Sequence, residues 1–146
     1  MDFYPSISFE LLSKAIVFAK QYTDVSENTL QIIMHARKSL LFDSDNVWTK
    51  KDNPEFDVTM GSYDNAEICE LVGLYMLHEI NTNFTLDFGL YRDDGLGVTR
   101  KLSGPRTERL KKDLVKLFKS NGLGITIKCN MISVDFLDVS FGKYQP

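Results

Sequence analysis

Three features of this sequence predict an α+β domain, with helices packed on a small and mostly antiparallel sheet. Apolar residues recur at helical spacing in four separate segments. Strand-like alternation is confined to a short N-terminal stretch and to the second half of the chain, and a strong hairpin signal stands between the third and fourth helices. The 146 residues are enough for one domain with a real core, and the organisation expected is a single domain over 1–146. The hydrophobic fraction of 43% and the charged fraction of 25% are ordinary for a soluble globular protein. No apolar run approaches the length of a membrane span, so no membrane partner is expected. The start at Met1-Asp2 lacks a basic leader, so no signal peptide is expected. Cys69 and Cys129 lie far apart and lack metal-ligand spacing, which argues for neither a disulfide framework nor a zinc site. A reducing intracellular setting, cytoplasmic or nuclear, fits these features.

The elements follow in order. Phe3 to Ile7 reads as a short initial strand. Ser8 is suited to cap a first helix, whose stripe is Leu11, Leu12, Ala15, Ile16, Ala19 and Tyr22. A second helix begins after Ser26. Leu30, Ile33, Met34, Arg37 and Leu41 lie at helical spacing, with Ile32 and Leu40 widening the stripe. His35, within it, has no partner at ligand spacing and reads as structural. The polar stretch from Asp43 to Asn53, interrupted by Val47-Trp48-Thr49, reads as a loop or a short exposed hairpin. A third helix follows Asp64, with Glu67 completing a capping-box pattern and Ile68, Leu71, Val72, Tyr75 and Leu77 as apolar positions. Next, Phe84, Leu86, Phe88 and Leu90 alternate with Thr85, Asp87, Gly89 and Tyr91, the period of a half-buried strand. Asp94-Gly95 is a two-residue hairpin signal and Leu96 to Thr99 a short return arm. Ser103-Gly104-Pro105 opens a fourth helix that buries Leu110, Leu114, Leu117 and Phe118 and stops at Asn121-Gly122. Ile125, Ile127 and Cys129 alternate as another strand, and Val134 to Phe141 is a final one.

Two adjacent carboxylates, Asp93 and Asp94, thus fall at a hairpin tip. Such a pair is costly to ionise unless something positive compensates, and a divalent metal is the usual compensation. Asp and Gly are equally ordinary turn formers, so the tip by itself requires no function. A net charge of −3 is a poor footprint for a self-sufficient nucleic-acid binder. Charge is uneven, however. Arg100, Lys101, Arg106, Arg109, Lys111, Lys112, Lys116 and Lys119 crowd one stretch against only Glu108 and Asp113. Either one helix carries a basic face for phosphates, or these lysines are simply a solvated face.

Tyr91-Arg92-Asp93-Asp94 resembles the Tyr-x-Asp-Asp hairpin of reverse transcriptase palm domains, and other stretches resemble the neighbouring motifs in the same order. Met1 to Ile7 looks like the tail of the first palm motif. Met60-Gly61-Ser62 before a helix resembles the second. Gly122 to Asn130 resembles the fourth, and Val134-Asp135-Phe136-Leu137-Asp138-Val139 the strand that follows. The wording is closest to eukaryotic retroelement polymerases of the Penelope-like and related kinds. The resemblance implies a polymerase-palm-like fold and two-metal nucleotidyl transfer with Mg²⁺ or Mn²⁺ held by Asp93 and, in support, Asp94. It also implies an RNA template, a DNA primer and deoxynucleoside triphosphates as partners. By the same resemblance Asp2 occupies the second, non-bridging acidic position of the first motif, and Tyr4 the steric gate under the incoming sugar. Gly61 and Ser62 would lie against the template and the nascent base pair. Lys128 fits the fourth-motif lysine only loosely and reads better as a solvent-facing strand residue.

In this register the bridging first-motif Asp falls three residues before Asp2, ahead of Met1. An alternative register makes Asp2 the ligand but brings Tyr4 too early for its role. The first register implies a palm fragment without fingers, thumb and half of the metal site, inactive alone. A non-catalytic remnant that binds nucleic acid or protein is the alternative function.

Overall fold

Local capping signals at Ser8 and Ser26 decide where two of the helices begin. In this computed structural model, residues 3–38, 40–49, 56–58, 63–100, 102–131 and 133–142 are described. The order is α1 (Phe3–Ser6), α2 (Phe9–Ala19), α3 (Glu27–Ala36), β1 (Leu40–Asp43), β2 (Asn46–Thr49), α4 (Asn65–Asn83), β3 (Asp87–Tyr91), β4 (Asp94–Val98), α5 (Gly104–Ser120), β5 (Ser133–Phe136) and β6 (Val139–Gly142). Helices with small antiparallel sheets make this an α+β chain. The strands form three separate two-stranded ladders, β1-β2, β3-β4 and β5-β6. Two compact units divide the chain, Asp2–Tyr75 and Met76–Pro146, with the division falling inside α4.

In the first unit, Ser8 and Ser26 cap α2 and α3 as expected. Each side-chain oxygen accepts from the amide three residues on, Leu11 N–H and Thr29 N–H, both at 3.1 Å. Leu11, Leu12, Ala15 and Ile16 are buried along α2, and Ile7, Phe56, Val58, Ile68, Cys69 and Val72 are buried with them in the same unit. Phe9 meets Phe56 edge-on at 5.8 Å, and Phe18 lies 6.0 Å from Tyr75, joining α2 to α4. Arg37, directly after α3, is only 4% exposed. Its guanidinium pairs with the Asp64 carboxylate and donates to Asn65 Oδ1 at 3.3 Å, while its carbonyl accepts from Asp57 N–H at 2.8 Å. Arg37 therefore ties the end of α3 to the start of α4. Its Nε has no hydrogen-bond partner among the described residues.

In the second unit, Met76, Ile80, Leu114, Phe118 and Leu123 are buried. α5 ends in a Schellman arrangement: Gly122 adopts φ +76°, Gly122 N–H reaches Lys119 O at 3.0 Å and Leu123 N–H reaches Phe118 O at 2.9 Å. Both Phe118 and Leu123 are buried, which supplies the apolar contact this stop calls for.

Several expectations are corrected. Phe3–Ser6 is a helical turn, not a strand; Pro5 in that first turn lacks an N–H that a ladder would need. α3 stops at Ala36, so Leu40 and Leu41 belong to β1 of a hairpin and not to the helical stripe. Within the stretch 43–53, expected as a loop or short exposed hairpin, Asn46–Thr49 is an exposed strand, but its partner is Leu40–Asp43, with Leu41 opposite Trp48 and Phe42 opposite Val47, and residues 50–53 lie outside the described residues. The buried line of α4 runs through Ile68, Cys69, Val72, Met76 and Ile80, while Leu71, Tyr75 and Leu77 are half-buried. Ile125 to Cys129 joins no ladder among the described residues. Val134 to Phe141 is a hairpin and not one strand: Leu137 and Asp138 turn the chain with φ +50° and +62°. His35 and Lys128 are exposed.

Two stability outcomes follow. Asp64→Asn leaves the buried Arg37 guanidinium short of its anion and should cost about 2 kcal/mol. Arg37→Met, which removes the buried charge, should cost less than about 1 kcal/mol. Urea unfolding of both variants checks the order, and a milder Asp64→Asn would refute the account. A turn with two positive-φ residues favours Asn-Gly, so Leu137→Asn with Asp138→Gly should gain about 1 kcal/mol. An unchanged or lowered unfolding midpoint would contradict it.

Candidate functional site

The site is built on the β3–β4 hairpin. Its register pairs Asp87 with Val98, Phe88 with Gly97, Gly89 with Leu96, Leu90 with Gly95 and Tyr91 with Asp94. Phe88 and Leu90 of β3 face Gly97 and Gly95 of β4, and Leu96 faces Gly89. The Phe88 ring fills the space the glycines leave. A Cβ placed on Gly95 would meet Phe88 Cζ at 2.9 Å, and one on Gly97 would meet Phe88 Cδ2 at 3.0 Å and Leu86 Cδ1 at 3.1 Å.

This register sets the turn. Arg92 and Asp93 are its two residues, and Tyr91 and Asp94 close the ladder. The Asp94-Gly95 turn expected from the dipeptide signal is corrected by two residues. Moving the turn by two keeps every side chain on its own face, so alternation cannot separate the two registers. The fit of Phe88 and Leu90 opposite glycine does. Arg92 takes the turn position with φ +52° and lays its guanidinium 5.3 Å from the Tyr91 ring centroid.

Asp93 and Asp94 therefore do sit at the tip, one in the turn and one at the first position of β4. Directly opposite residues share a face, so Asp94 lies on the face of Tyr91, Leu96 and Val98, away from Phe88 and Leu90. Both carboxylates are exposed. Water screens their mutual repulsion, and the compensation expected of a metal is not required by burial. Their chemistry still fits a hydrated divalent cation. Such an ion wants hard oxygen ligands, keeps several waters and takes one or two protein carboxylates with substrate phosphates.

Asp2, Gly61 and Ser62 lie outside the described residues, as do Met60 and Lys101. Tyr4 lies in α1, where the backbone is helical and not the strand end that a steric gate was expected to follow. Among the described residues, no three His, Cys, Asp or Glu side chains converge as a metal-binding group. Among them, too, no helix is long and apolar enough to cross a membrane. Sequence reading missed the partnership of Phe88 with Gly95 and Gly97. The signal was the spacing itself, since two glycines separated by one residue of a strand lie on one face.

No family model, curated protein or solved structure matches this chain.

A methyl at Gly95 or Gly97 must displace the Phe88 ring. Gly95→Ala and Gly97→Ala should each lower stability by about 1 kcal/mol, and Phe88→Ala should remove most of that penalty when combined with either. A double-mutant cycle by thermal unfolding tests this; additive losses would show that the ring does not set the register.

Proposed function

We propose that this chain is the palm core of an RNA-directed DNA polymerase, with Asp93 the leading ligand for Mg²⁺ or Mn²⁺ and Asp94 its supporting neighbour. The observation that carries this reading is the β3–β4 hairpin, which presents Tyr91-Arg92-Asp93-Asp94 at its tip with both carboxylates exposed. The order of the surrounding motif-like stretches along the sequence supports it.

A bound divalent cation would supply charge stabilisation for in-line displacement at phosphorus. The chain's own contribution is positional. The ladder holds Asp94 at the closing pair, and the Phe88 contact fixes the register that keeps Asp93 in the turn. A carboxylate on such a support loses little further conformational freedom when it takes a ligand. Tyr91, on the Asp94 face and next to the Arg92 guanidinium, offers a flat apolar surface beside the carboxylates. Under this reading the partners are an RNA template, a DNA primer and deoxynucleoside triphosphates, and the setting is intracellular. Asp93 and Asp94 are the hairpin half of the ligand set that the resemblance implies.

The reading is tested by Mn²⁺ titration followed through paramagnetic broadening of backbone amides. Broadening should concentrate at residues 91–95. Asp93→Asn should weaken it at least about tenfold in Mn²⁺ affinity, equivalent to about 1.4 kcal/mol. Broadening that ignores the hairpin, or survives Asp93→Asn unchanged, sinks the assignment.

A further inference from the structure

We infer that the outward face of α5 is a docking stripe for the phosphate backbone of single-stranded nucleic acid. At about 100° per residue, Arg109, Lys112, Lys116 and Lys119 fall within an arc of about 80°. All four are exposed. The opposite side of the helix carries Leu114 and Phe118, which are 6% and 3% exposed. From Arg109 to Lys119 the stripe is about 15 Å long at 1.5 Å of rise per residue. That length spans two to three successive phosphates of an extended strand.

The charges are available. Arg109 has one partner, Asp113 at 3.9 Å, with the two side chains 87% and 53% exposed. An exposed pair so long holds its members weakly. Lys112, Lys116 and Lys119 have no ion-pair partner among the described residues. The chain as a whole is acidic at −3, so this stripe is a local reversal of sign and not part of a general cationic surface. Fields from exposed charges fade within about 8 Å at physiological salt, so the local stripe, and not the net charge, is what a phosphate sees.

The occupant follows from the chemistry. A cationic amphipathic helix binds membranes by inserting its apolar face, but Leu114 and Phe118 are already buried in the fold. What remains on offer is a row of four cations, edged by the exposed carboxylates Glu108 and Asp113, complementary to a row of anions at regular spacing. The choice of nucleic acid over another polyanion rests on the polymerase reading of the hairpin.

The experiment is fluorescence anisotropy of a labelled 20-nucleotide oligo(dT) with the whole chain, across a salt series. Three phosphate contacts predict that log K falls with log salt at a slope of about −2. The triple variant Lys112→Gln, Lys116→Gln, Lys119→Gln should lose at least about tenfold in affinity at low salt and flatten the slope. The triple Lys→Arg variant should retain both. Far-ultraviolet circular dichroism checks that α5 survives in each. Unchanged binding by the Gln variant, no binding by the unaltered chain at low salt, or capture by phosphatidylserine vesicles without oligonucleotide binding would each overturn the stripe. Oligonucleotide binding with no Mn²⁺ effect at residues 91–95 would overturn the polymerase reading alone. The reverse pair of results would overturn the stripe alone.

Discussion

The candidate site depends on how one aromatic ring is seated. Phe88 lies over two glycines of the facing strand, and any side chain at Gly95 or Gly97 would collide with it. Large opposite small across a ladder is a volume constraint, and it selects one register of β3 against β4. The register in turn decides which two residues turn the chain. Arg92 accepts a positive φ, Asp93 stands in the turn, and Asp94 closes the ladder beside Tyr91. The carboxylates owe their positions to packing on the far face of the same hairpin.

The first unit depends on a different kind of contact. Arg37 brings a charge into a nearly closed environment and spends it on Asp64, Asn65 and the backbone. A buried ion pair contributes little net stability, but removing one member leaves the other uncompensated. Its value is in specifying geometry: one guanidinium fixes the end of α3 against the entrance of α4. The residues that resemble the second palm motif, Met60 to Ser62, immediately precede that entrance in sequence. The second unit uses apolar seams instead, with α5 closed by Gly122 and with Phe118 and Leu123 both buried beside that stop.

Charge is distributed between these supports in a way that suits the proposed chemistry. The hairpin tip presents carboxylates to water, and the outer side of α5 presents lysines. Both sets are exposed, so neither is forced by burial, and each is free to meet a ligand of opposite sign. Under the proposed function the hairpin carboxylates would meet a cation and the α5 lysines a phosphate backbone. They are separately testable because the groups are different and the ligands do not compete.

Sequence by itself determined the helix starts, because Ser8 and Ser26 carry their signal locally, in a side chain that reaches an amide three residues on. It determined the α5 stop through Asn121-Gly122, and it determined that a hairpin places Asp93 and Asp94 at its tip, since both arms and the turn lie within one short stretch. Tertiary structure decided the rest. The exact turn residues were hidden because shifting by two preserves every face, and only the fit of Phe88 to glycine breaks that tie. Arg37 looked like one more position on a helical stripe, and only its meeting with Asp64 made it the buried tie of its unit. Leu40 and Leu41 fit a helix by spacing yet pair as a strand, because periodicity records which positions are apolar and not where the chain changes conformation. Long-range partners decide those matters, and no local pattern contains them.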